Sequence, residues 1–142
     1  MRKILSYIMI TGMAAFAISC AEPVEPTPTN MSYGDWVVTE YYVNGQAAGS
    51  GGSTSSPLVF ERFTLERDDS FVLTDDNGFV YVGDWVATDT NLTLTAEDGT
   101  IFDFEIVFQS YDKLHLLQTI SSPTAGEIQV RYLMNQDDAS SY

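Results

Sequence analysis

The side chains able to do chemistry are few in kind. Among 142 residues there is one histidine, one cysteine and 20 carboxylates. His115 lies between Leu114 and Leu116 in an alternating segment that puts it on the wetter face, a surface or structural position. A single histidine at no meaningful spacing from a serine and a carboxylate does not build an acyl-transfer relay. Cys20 is the sole thiol, and one histidine with one thiol is a poor zinc ligand set. Asp75-Asp76-Asn77-Gly78 has carboxylates beside a glycine, as calcium loops do. It lacks their spaced ligands and closing glutamate, and reads as a turn. The expectation is a protein that is not an enzyme and has no metal and no cofactor.

Cys20 gains meaning from its flanks. Arg2 and Lys3 form a basic start, and Ile4 to Ala17 is a mostly apolar run broken by Ser6, Thr11 and Gly12. At 14 residues it is too short to cross a hydrocarbon layer about 30 Å thick, and it fits an export signal. Ala17-Ile18-Ser19-Cys20 resembles the bacterial lipobox, whose cysteine is acylated and becomes the first mature residue. That resemblance implies a signal peptide over 1–19, Cys20 as lipid anchor, and a place in the bacterial cell envelope. The membrane implied is the outer one, at its periplasmic face or at the cell surface. Several acyl chains, at about 0.8 kcal/mol per buried methylene, hold a protein where one chain does not. The alternative is a cleaved secretory signal with an incidental cysteine. An intrachain disulfide is excluded by count.

Residues 20–32 hold the anchor and a spacer. Pro23, Pro26 and Pro28 favour extended geometry at about 3.1 Å per residue, and Glu22 and Glu25 keep it solvated. All 20 acidic residues follow Cys20 while two of the six basic ones precede it, leaving four basic groups and a net −16 on the mature chain. That charge makes nucleic acid and anionic lipid surfaces poor partners.

Beyond the spacer the patterning is that of strands. Candidates run 34–43, 58–67, 70–75, 78–87, 91–96, 100–109, 113–120 and 127–134, rich in Val, Phe, Tyr, Thr and Ile. Phe102, Phe104, Ile106 and Phe108 alternate with Asp103 and Glu105. Leu114, Leu116 and Ile120 alternate with Lys113, His115 and Thr119, and Ile128, Val130, Tyr132 and Met134 repeat the pattern. Asp68-Asp69, Asp76-Asn77-Gly78 and Glu97-Asp98-Gly99 supply turns, with Gly78 and Gly99 suited to positive φ. Eight strands on short turns predict an all-β fold, an eight-stranded antiparallel up-and-down barrel over 33–134 with a polar tail over 135–142. The one long connection, 44–57, has four glycines and four serines and is either a lid over the mouth or a plain connector.

Gly34-Asp35-Trp36-Val37-Val38-Thr39 recurs as Gly83-Asp84-Trp85-Val86-Ala87-Thr88. In a meander both indoles fall toward the same end, and each glycine permits a bulge or close approach that lets the following ring turn inward. At these residues, with Phe63 to Phe71 and Asn91-Leu92-Thr93-Leu94, the chain resembles the calycin group, in particular lipocalin-like domains of bacterial lipoproteins. The resemblance spans roughly 33–134. It implies a structural motif of Gly34, Trp36, Gly83 and Trp85, with Arg131 lying over Trp36 in cation–π contact. A solvent-facing Arg131 is the alternative.

By the same resemblance the function is capture of a small apolar or amphipathic ligand at the barrel mouth. Period two from an inward Trp36 carries Glu40 and Tyr42 inward, and Tyr81 lines the same interior. These three are the candidate ligand contacts, unless a bulge after Trp36 swaps the faces and exposes Glu40. The competing reading is a ligand-free barrel filled by its own aromatics, acting as an envelope protein-interaction module or accessory subunit. An inhibitor of a secreted enzyme is a third. The anchor reading has a direct consequence: Cys20→Ala should move the protein from membrane to soluble fractions. Membrane retention of that variant, read by fractionation and immunoblotting, would contradict it.

Overall fold

The computed structural model describes residues 32–47 and 58–137. Cys20, the signal, nearly all of the spacer, the greater part of the 44–57 connection and the last five residues lie outside that range.

Nine strands form one antiparallel sheet: β1 (Gly34–Val43), β2 (Gln46–Ala47), β3 (Phe60–Leu65), β4 (Ser70–Asp75), β5 (Val80–Ala87), β6 (Asn91–Ala96), β7 (Ile101–Gln109), β8 (Lys113–Ser122) and β9 (Gly126–Gln136). From β3 onward each strand pairs with the next, β1 pairs with β3, and β1 also pairs with β9. That last pairing closes the barrel. Apart from β2, a two-residue extension of the β1 edge, it has eight strands in up-and-down order, as expected.

Alternation explains most of the strand faces. Leu92, Leu94 and Ala96 turn inward on β6, and Val130, Tyr132 and Met134 do so on β9, all of them buried. The turns follow their residue chemistry. Asn44 and Gly45 take φ of 50° and 79°, the mirror-image pair that suits a two-residue hairpin. Asp68 Oδ1 accepts from the Ser70 amide at 3.1 Å, and Asp69 is left-handed at φ 67°. Gly78 and Gly99 have the positive φ that their sequences called for.

Three bulges break the alternation. They fall between Val38 and Glu40 in β1, between Phe60 and Arg62 in β3, and between Ile106 and Phe108 in β7. Period two therefore fails at Phe108. It is turned outward, 48% exposed, and its ring lies 5.1 Å from that of His115 on β8. β9 also runs two residues past the expected end, bringing Gln136 opposite Trp36.

Gly83 is where two backbones come too close for a side chain. A Cβ there would lie 2.0 Å from the Thr95 carbonyl oxygen and 2.8 Å from the Ala96 Cα on β6. Gly34, at φ 138°, adopts a conformation that other residues avoid, immediately before Trp36 turns inward.

Candidate functional site: the open end of the barrel

The two ends of the barrel differ in kind. At the end where β1 begins, Trp36 is fully buried and its indole donates to the Ser32 carbonyl at 2.7 Å. Ser32 is itself fully buried, and its hydroxyl accepts from Gln109 Nε2 at 2.8 Å. Trp85 lies at the same end, donating to the Glu66 carbonyl at 2.9 Å. On the outer surface there, Arg62 pairs with Asp35 and, at 3.2 Å, with Asp137, while Thr64 donates to Asp35 at 3.0 Å. This end is sealed.

Arg131 takes no part in the seal. It stands opposite Tyr42 of β1 and is exposed on the outer face, whereas the residue of β9 opposite Trp36 is Gln136. The expected contact over the indole is therefore absent. The physical reason is register: Arg131 is several residues too far from the closed end. A cation does lie over a ring at that end, but it is Arg67, 4.6 Å from the centroid of Tyr33.

Midway up, the interior is filled by interlocked rings. Phe60, 1% exposed, has five aromatic neighbours: Phe102 at 5.3 Å, Phe63 at 5.8 Å, Tyr132 at 6.1 Å, Phe104 at 6.2 Å and Tyr81 at 6.3 Å. Four of these contacts are edge-to-face, the geometry that ring quadrupoles favour. Tyr132 brings a hydroxyl into this layer and donates it to Gln118 Oε1 at 3.1 Å. Burial disfavours the phenolate and pushes Tyr132 well above the ordinary tyrosine range. The hydroxyl stays a donor.

Above this floor the inner wall is partly open to water. Tyr41, Val43, Tyr81, Ile120 and Ile128 pack against the core yet remain only half-buried. All lie toward the end formed by the close of β1 and β8 and the start of β5 and β9. The result is an apolar rim with two phenol hydroxyls, at Tyr41 and Tyr81. Asp75, the last residue of β4, continues the inward series Phe71, Leu73, Asp75 and is 1% exposed. Its Oδ1 accepts from the Asn77 amide at 2.9 Å and the Phe79 amide at 2.8 Å. Its Oδ2 is buried with no hydrogen-bond partner.

Of the three candidate ligand contacts, the structure brings only Tyr81 to this rim. The β1 bulge turns Tyr41 inward and leaves Glu40 and Tyr42 on the outer face, so neither lines the interior. There the Tyr42 hydroxyl donates to Glu40 Oε2 at 2.8 Å, and the carboxylate raises the phenol above its usual range. Both residues border an open cleft of about 360 Å³ with Thr39, Tyr41 and Ala47. The signal for Tyr41 was absent from the alternation because bulges follow no period. The signal for Asp75 was present: it closes an unbroken inward alternation along β4.

His115 is partly buried on the outer face. Desolvation, then the positive charges of Arg131 and Lys113, hold it below the ordinary imidazole range. Among the described residues no group of three His, Cys, Asp or Glu side chains converges as metal ligands.

Strand order and closure identify the architecture. Up-and-down closure of eight antiparallel strands, first against last, is how lipocalins are built. The chain is a closed eight-stranded antiparallel up-and-down barrel, an architecture that lipocalins share. Among solved structures it is similar to a bovine lipocalin allergen, Bos d 2, at 10% identity and a TM-score of 0.48, over 77% of this chain and 75% of that one. No family model and no curated protein matches the sequence.

The closed end yields a paired prediction. Trp36→Phe should cost about 1–3 kcal/mol by stripping the buried Ser32 carbonyl of its donor. Arg131→Ala should stay within about 0.5 kcal/mol of wild type. Denaturant unfolding reads both, and equal losses would contradict the assignment of the seal.

Proposed function

We propose that this is a lipid-anchored extracytoplasmic binding protein, not an enzyme, that takes a small apolar or amphipathic molecule at the barrel mouth. One observation carries the reading. Inward-facing residues from Trp36 up to Phe60 are sealed, whereas those of the rim, Tyr41, Val43, Tyr81, Ile120 and Ile128, are apolar and still reachable by solvent. A concave apolar wall with a few polar groups is the usual make-up of a small-molecule site. Because the aromatic floor sits high, the cup is shallow and suits a compact ligand or one end of a longer one. The chain enters the barrel at the closed end through Ser32, at the opposite end from the rim.

A second reading has its own observation. Val72, Val80, Val82 and Val86 line the outer face of β4 and β5 with exposures of 37%, 57%, 40% and 62%, interrupted by Asp84. Such a row suits contact with another envelope protein better than contact with water.

Fluorescence titration separates the two. The neutral probe N-phenyl-1-naphthylamine should bind the unacylated mature chain saturably, at one site per chain. Ile120→Arg, which puts a charge into the cup, should weaken it about tenfold. Saturable binding unaffected by Ile120→Arg, or no binding at all, would contradict capture at the mouth and favour the exterior face.

A further inference from the structure

We infer that the cup selects ligands carrying a positively charged amine, and that Asp75 Oδ2 is the acceptor for that group. This rests on the capture reading above and names the ligand class of the same site.

The argument starts from an unbalanced buried group. Asp75 is 1% exposed at the mouth end of β4, on the face that also carries Phe71 and Leu73. One of its oxygens is fully engaged by two backbone amides of the following turn, which fixes the carboxyl group in place. The other oxygen has no donor, although buried polar atoms nearly always have one. The turn therefore accounts for half of this carboxylate and leaves the other half unexplained. Removing a carboxylate oxygen from water without a partner is unfavourable, and a donor brought by a ligand restores the balance.

The surroundings favour a cationic donor. Asp75 is the cross-strand partner of Phe60, whose ring meets Tyr81, Phe102 and Tyr132. Aromatic side chains tolerate a cation far better than an aliphatic wall does. Acidic residues stand at both ends of the barrel, so the net −16 of the mature chain disfavours a carboxylate ligand without singling out the mouth, and the specific attraction there is that of Asp75. Oδ2 is buried at the mouth end of β4, so a donor carried on an apolar body would approach it from that end.

A matched series tests this: octylamine, octanol and octanoate, each displacing N-phenyl-1-naphthylamine from the unacylated mature chain. The expected order is amine, then alcohol, then carboxylate, with at least a tenfold gap between first and last. Asp75→Asn keeps the acceptor for the turn and removes the charge. It should bring octylamine to the level of octanol, each displacement being referred to the probe affinity measured in that variant, whereas Asp76→Asn should leave the order intact. High salt distinguishes a specific pair from general attraction, because a buried pair is screened much less than surface charge. In wild type the amine preference should survive it. Loss of the preference in salt, its persistence in Asp75→Asn, or equal displacement by all three compounds would overturn the inference while leaving capture standing. Failure of the probe itself to bind would overturn both. Should Asp75→Asn fold poorly by circular dichroism, the wild-type salt series alone decides.

Discussion

An eight-stranded barrel encloses a space that side chains can just fill, and how that space is filled decides both stability and use. Here the deciding interaction is the set of ring contacts around Phe60. One side chain from β3 meets rings from β3, β5, β7 and β9, so strands far apart in sequence are tied at a single point. The same packing sets the depth of the cup. Below these rings the inward side chains are buried, and above them those of the rim are only half-buried.

The strands and their order were legible in the sequence because antiparallel pairing imposes period two and short turns carry their own residues. The doubled Gly-x-Trp was legible too. Gly83 permits an approach to the Thr95 carbonyl that any Cβ would forbid, and both indoles meet the same end. Bulges were legible only where a charge was at stake: a carboxylate at the inward position of Glu40 suggested one after Trp36, whereas nothing marked the one in β7. One extra residue between Val38 and Glu40 exchanges the faces of the rest of β1, so Glu40 and Tyr42 are outside and Tyr41 within. Another in β7 turns out Phe108, a residue whose type alone suggests the core.

Arg131 shows a different limit. Its identity and strand suited a contact over Trp36, but that contact depends on register across β1 and β9, which places Tyr42 opposite it instead. Asp75 is the converse case. Its neighbours Phe71 and Leu73 pointed inward along with it, yet a carboxylate beside Asp76, Asn77 and Gly78 has a ready local explanation as a turn residue. The structure shows that both hold: one oxygen serves the turn and the other is buried with no hydrogen-bond partner.

Equilibrium unfolding of Phe60→Ala tests the central claim most directly. If that ring joins the strands around it, its removal should lower the unfolding free energy by about 3–5 kcal/mol while the transition remains cooperative. A loss under about 1 kcal/mol would contradict the account, since it would mean that the rings around Phe60 do not hold the barrel together.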